Sequence, residues 1–337
     1  MYKDQSKLSG FWAEDYLTDD EFDDNSTSKL NLFIIWDKSR DKSKIIMDDI
    51  GKKFVIRQVY EVQWSKEKFL TNLKRFYEKG LKELQQKADV CGSGPFLVVL
   101  VSDPNPIFKK MITPTEEDII NINMVESKLK YRKWTGREYS IHSSMSKKET
   151  NHDLTLLFNK NIHDLEKELP ETWDTSIKKL DLDIVGSDRW LNLKQLLYVF
   201  NGTINYVILR NFEGMPDKYD FNDIDLLTED ERVRSIIDGN FSLYGDNISK
   251  LKMKLGDKEV EFDFRYIKNQ NYFDEKWLKS ILKNRIFHPN GFYVPCTEDY
   301  FYTLLYHAII HKGIISEKAK KRLTKLSKQL AIKDVTE

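Results

Sequence analysis

The sequence predicts an α+β protein built from two units, and three observations carry that prediction. Apolar strand-like runs alternate with amphipathic helical stretches up to about residue 158. The pattern restarts near residue 190 with a helix, a strand, a loop and a second strand. The 337 residues suffice for two domains of ordinary size. The expected division is an acidic arm over 1–28, a first domain over 29–165, a linker over 166–189, and a second domain with C-terminal helices over 190–337.

The elements follow in order. Residues 1–28 contain EDYLTDDEFDD, which has little periodicity and reads as an extended or partly disordered arm. KLNLFIIW (29–36) is rich in β-branched and aromatic residues and reads as a strand. SKIIMDDIGKKF fits a short amphipathic helix, and VIRQVYEVQW (55–64) alternates like a strand. SKEKFLTNLKRFYEKGLKELQQK reads as one helix with Ser65 at its N-cap. PFLVVLVSD (95–103) is apolar without a break, as a buried strand would be. Residues 104–135 read as irregular, SIHSSM follows, and KKETNHDLTLLFN reads as a helix. This order predicts a sheet with helices on one face.

In the second unit, RWLNLKQLLYVFNG is an amphipathic helix stopped by Gly202. INYVILR and NDIDLLT are strands around the turn-rich NFEGMPDKYDF, and EDERVRSIIDG is a helix. KMKLGDKEVEFDFRYI is a hairpin turning at Gly256-Asp257. DEKWLKSILKNRI, TEDYFYTLLYHAIIHK and SEKAKKRLTKLSKQLAI are helices, the middle one capped by Thr297.

Composition narrows the function classes. Lys+Arg and Asp+Glu number 54 each, so net charge points to neither a nucleic acid nor a membrane. No apolar run is long enough to span a bilayer, and MYKDQSKLSGFW lacks the apolar core of a signal peptide. The two cysteines, Cys91 and Cys296, form neither a disulfide framework nor a zinc cluster, and a reducing cytoplasm is the expected compartment.

The pattern richest in chemistry is FNDIDLL followed by KEVEFDFR. On a strand, Asp223 and Asp225 share one face while Ile224 and Leu226 take the other. Neighbouring carboxylates repel unless a cation lies between them, and Mg²⁺ favours a few carboxylates plus phosphate oxygens. Asp263 would be the third acid; Glu261 shares its face and competes for that role. Arg210 and Arg265 are candidate phosphate ligands. His307 and His311, four apart on a helix, fit either a phosphate-proximal role or a partly buried helix face.

A helix, the strand INYVILR, a loop, DID and a later EFDF resemble the nucleotidyltransferase fold over about residues 190–325. The variant resembles proteins found among bacterial surface-polysaccharide genes. The resemblance implies that Asp223, Asp225 and Asp263 hold Mg²⁺ on a nucleoside triphosphate, with Asp263 helping to activate the attacking hydroxyl. It implies transfer to a small molecule, sugar or polymer. Where the superfamily has Gly-Ser or Gly-Gly, this chain has Arg210 and Asn211, which would take the phosphates.

Residues 29–158 resemble nucleoside diphosphate kinases in element order, and IHSSMSKKETNHDLTLLF resembles their phosphohistidine segment. That resemblance implies a ferredoxin-like core with His142 as the phosphorylated residue. Lys38, Arg132 and Arg137 would bind phosphate, although the Lys-Pro-Asp-Gly of those kinases is replaced by Trp36-Asp37-Lys38-Ser39. KYRKWTGREY (130–139) suits a phosphate-facing loop as well as single-stranded nucleic acid. Two further expectations stand beside the transferase. One is a nucleotide-binding or scaffold protein with two degenerate enzyme folds. The other is a transferase modifying RNA or protein, for which zero net charge makes an RNA partner less expected. Those kinases form oligomers, but a fold resemblance does not transfer an interface, and whether this chain is an oligomer stays open in the sequence.

Overall fold

The computed structural model describes residues 12–15, 27–77, 81–112, 117–218, 223–229, 232–237, 241–244, 247–267 and 274–332. Most of the arm therefore lies outside the described residues. Its Trp12–Asp15 is a strand, β1, where the sequence suggested none. The chain divides into two compact units, Met1–Val185 and Gly186–Glu337, and is mixed α+β in both.

In the first unit β2 (Leu30–Ile35) leads through a 3-10 turn into α1 (Ser43–Lys53) and β3 (Val55–Gln63). Then come α2 (Phe69–Tyr77), α3 (Leu81–Cys91), β4 (Phe96–Ser102), β5 (Phe108–Ile112) and β6 (Glu117–Asn121). The unit closes with α4 (Ile122–Thr135), β7 (Ile141–Ser143), α5 (Lys147–Phe158), α6 (Ile162–Glu166) and β8 (Ile177–Asp181). The main sheet runs β7-β2-β4-β3-β8, with β8 parallel to β3 and the other pairs antiparallel. A smaller sheet joins β1, β5 and β6.

Four expectations change here. All six residues of β2 are buried, as are residues 96–101 of β4, so both faces of the sheet are covered rather than one. Phe33, Ile35, Val99 and Val101 pack with Ile46 and Ile50 of α1 and Met124 and Tyr131 of α4. The stretch 104–135 is two strands and a 14-residue helix, not irregular chain. Ser65 does not cap a helix; its amide and hydroxyl both donate to Asp183, at 2.9 and 2.8 Å, and α2 begins at Phe69. The stretch read as a linker supplies β8 to this unit's sheet.

The second unit begins with α7 (Leu193–Thr203), which runs through Gly202 instead of stopping there. β9 (Tyr206–Ile208), β10 (Ile224–Thr228) and α8 (Arg232–Ile236) follow. β11 (Phe241–Tyr244), β12 (Asn247–Leu255) and β13 (Lys258–Tyr266) complete a mixed sheet of order β11-β12-β13-β10-β9. The β12–β13 hairpin turns where expected. Leu255 pairs with Lys258, and Gly256 holds φ +59°, a left-handed conformation that glycine adopts without a Cβ penalty. α9 (Glu275–Lys283), the hairpin β14 (Ile286–His288) and β15 (Phe292–Val294), α10 (Thr297–Tyr306) and α11 (Glu317–Gln329) follow. Cys296, not Thr297, is the N-cap residue of α10. One π-helical turn, His307–His311, extends α10.

Candidate functional site

The carboxylates of the second unit are assembled by strand register. β10 and β13 pair in parallel, with Asp225 directly beside Asp263. β13 alternates cleanly: Val260, Phe262, Phe264 and Tyr266 are buried on one face, while Glu261, Asp263 and Arg265 share the other. Phe262, Phe264 and Tyr266 stack along the apolar face, which fixes which way the acids point. Asp223, two residues before Asp225, joins them, and one oxygen from each of the three carboxylates lies within 4.8 Å of the others.

Cations surround this trio. Arg210 Nη2 is 2.5 Å from Asp225 Oδ1, and Arg265 Nη2 is 2.6 Å from Asp263 Oδ2. Lys250, opposite Asp263 across the hairpin, lies 3.9 Å from Asp223 and 3.6 Å from Glu261. Burial pushes the Asp225 carboxyl up to about 6 even though Arg210 pulls it down; Asp223 and Asp263 add to the rise. Asp263 is also raised, again chiefly by burial, against the pull of Arg265 and Lys250. His307 is held down to about 3 by burial first and then by the charge of Arg210, so its imidazole is neutral at physiological pH. His311 is likewise lowered by burial and by Lys312, Arg265 and Arg210. The charges of Arg210 and Arg265 thus reach both histidines, whose ring centroids lie 5.1 Å apart.

The loop after β9 departs from a backbone phosphate cradle. Arg210 turns toward Asp225, and Asn211 adopts φ +60°. The Asn211 side-chain oxygen accepts from Arg322 Nη1 at 2.7 Å, so that oxygen is committed to α11. Glu213 accepts from Arg322 and from the Tyr300 hydroxyl.

A hard all-oxygen donor set of three convergent carboxylates, two of them buried, fits Mg²⁺. A divalent cation would also offset the cost of ionising Asp225.

The first unit has its own cluster. His142 Nε2 lies 2.6 Å from Asp153 Oδ2, eleven residues on, and His152 Nδ1 lies 3.1 Å from the other carboxylate oxygen. Burial pushes Asp153 up, but the two histidines outweigh it and hold the carboxyl below its ordinary value. Ligand atoms of His142, Glu149 and Asp153 also lie within 4.8 Å of one another. Lys128 is buried beside them, its amine 2.8 Å from Met145 Sδ and pushed down to about 8 by burial against the attraction of Glu149. The rings of Phe76 and Tyr77 meet the His142 ring edge-on, each at 5.5 Å.

The expected phosphate ligands of this unit each donate to a backbone carbonyl. Lys38 Nζ donates to the Asp89 carbonyl at 2.6 Å, and Arg137 donates to the Lys38 carbonyl. Arg132 Nε donates to the Ile141 carbonyl at 2.9 Å, next to His142. Trp36, in the stretch that replaces the kinase Lys-Pro-Asp-Gly, is fully buried against Trp64, Phe96 and Tyr77. Sequence reasoning missed Asp153, Glu149 and Lys128 here, and Lys250 in the second unit.

No family model matches the chain, and no curated protein or solved structure matches it.

Proposed function

We propose that the second unit is the active one, a Mg²⁺-dependent nucleotidyl- or phosphotransferase that uses a nucleoside triphosphate. The acceptor would be a hydroxyl of a small molecule, sugar or polymer. The observation that carries this reading is the in-register convergence of Asp223, Asp225 and Asp263 between Arg210 and Arg265. Asp223, Asp225 and Asp263 would hold the metal, which when bound neutralises charge on the transferring phosphate.

The chain's own residues do the rest. In the free protein each arginine is the counter-ion of one buried carboxylate. Arg210 and Arg265, whose planar forks suit phosphate oxygens, would turn from the carboxylates to the phosphates when the acids hold a metal. Arg210 thereby does with a side chain what a glycine-rich turn does with backbone amides. Asp263, in register beside Asp225, would accept the proton of the acceptor hydroxyl. Neutral His307 would serve as a hydrogen-bonding group that adds no charge.

For the first unit we propose a ferredoxin-like fold without phosphoryl transfer. The antiparallel order β7-β2-β4-β3 supports the fold. Trp36 in the core and His142 under two aromatic rings support a binding or supporting role instead of catalysis.

The test is isothermal titration of each nucleoside triphosphate with Mg²⁺ on the wild type and on Asp223→Ala/Asp225→Ala. Binding lost in the variant supports the site. Binding that survives moves the nucleotide to the first unit, and no binding at all leaves a scaffold of two degenerate folds.

A further inference from the structure

α10 and α11 pack against each other as a helical hairpin, and the tip of that hairpin is unusual. Every residue from Ile309 to Lys318 is exposed. Within that tip Ile309 is 49% exposed, Ile310 65%, Ile314 77% and Ile315 43%. A single exposed isoleucine is ordinary, but four within seven residues, two in the π-helical turn and two in the connection to α11, gather apolar surface that water disfavours.

Positive charge extends from the patch along α11, with Glu317 the one acid between Ile309 and Lys328. Lys312 lies within the patch. Lys318, Lys321, Lys325 and Lys328 follow at spacings of three, four and three, which puts them on one face of α11, and all four are exposed. Leu323, Leu326 and Ser327 are buried on the other side. Lys318 and Lys321 sit in the first turns of α11, at the positive end of the helix dipole, where cations weaken a helix. The helix dipole therefore does not account for Lys321. Arg322 lies off this stripe and is turned to Asn211 and Glu213.

We propose that this hairpin tip docks on an anionic lipid bilayer. The isoleucines enter the acyl boundary, and the lysine stripe lies along the headgroup phosphates without any segment crossing the membrane. The chemistry of the patch selects this partner. Single-stranded nucleic acid is held by aromatic stacking and arginine, whereas this surface is aliphatic and lysine-based. A second copy of the chain would bring a like-charged stripe against the first. The inference does not depend on the chemistry of the carboxylate site.

Co-sedimentation of the full chain tests it, with vesicles of phosphatidylcholine alone and with about 30 mol% phosphatidylglycerol. The expected result is sedimentation with the anionic vesicles only, reversed by about 0.5 M salt. Ile314→Asp/Ile315→Asp and Lys321→Glu/Lys325→Glu should each cut binding roughly tenfold or more at unchanged circular dichroism. Ile314→Trp, a gain-of-signal variant, should show blue-shifted emission on anionic vesicles. Equal binding to neutral vesicles, no binding to anionic ones, or binding indifferent to both double variants would overturn the proposal. So would an isoleucine-dependent dimer in sedimentation velocity, or capture of single-stranded RNA in preference to vesicles.

Discussion

The two clusters of ionisable side chains solve the same electrostatic problem in opposite ways. In the first unit a buried carboxylate, Asp153, is satisfied by two histidines and covered by aromatic rings. In the second, Asp225 and Asp263 are buried nearly as deeply, yet each leans on an arginine, and Asp223 stays half-buried at the edge. The first arrangement lowers the carboxyl's proton affinity and closes on itself. The second leaves Asp225 and Asp263 with raised proton affinity and with counter-ions that a stronger cation can replace. Perturbed carboxylates of the second kind concentrate at functional sites, although structural ion-pair networks perturb them too.

Four measurements sharpen or break that contrast. The largest effect is expected from Asp225→Asn. It should weaken Mg²⁺–nucleotide binding at least about 100-fold, while Asp153→Asn leaves that binding unchanged. Calorimetry on both variants decides, and equal losses would erase the distinction between the units. Next, Asp153→Asn should destabilise the first unit by up to about 3 kcal/mol, because the neutral amide offers one acceptor oxygen where the carboxylate offers His142 and His152 one each. Urea unfolding followed by the tryptophans reads this out.

The third is a pH effect. The folded Lys128 amine has its pKa depressed from 10.5 to about 8. Below pH 8 both folded and unfolded chains carry the proton, and the native state bears the full burial cost. Between about 8 and 10.5 the unfolded chain binds more protons, so this group's contribution to stability rises with pH. Lys128→Met should therefore stabilise the protein at pH 7 by up to about 3 kcal/mol, with the gain shrinking toward pH 10.5. A gain independent of pH would show that packing, not charge, is responsible. The smallest effect concerns the loop after β9. Asn211→Gly keeps φ +60° unstrained but loses the bond from Arg322 and should cost about 1 kcal/mol, whereas Asn211→Val should cost about 1–2 kcal/mol more in a thermal melt.

The same contrast explains what the sequence could reveal. β13 and its turn were legible because alternation and Gly256-Asp257 are local signals. The three acids were legible as a group because strand geometry dictates which side chains share a face. α4 was not, because its apolar residues are spread around the helix and Ser127 and Lys128 are buried among them. Asp153 escaped notice because its link to His142 spans a strand, a turn and most of a helix turn by turn, and no period connects residues eleven apart. Lys250 depends on hairpin register, and the true role of Ser65 depends on Asp183, more than a hundred residues away. Local pattern wrote the elements; distant pairing wrote the partners.

The parallel register of β10 and β13 carries one more consequence. Slipping either strand by a single residue would set Phe262 or Phe264 beside Asp225 and turn charged groups into the apolar layer. The misaligned sheet would be penalised by the very carboxylates that the aligned one displays. The acids thus act as a proofreading device for the fold, rejecting wrong pairings before any ligand arrives.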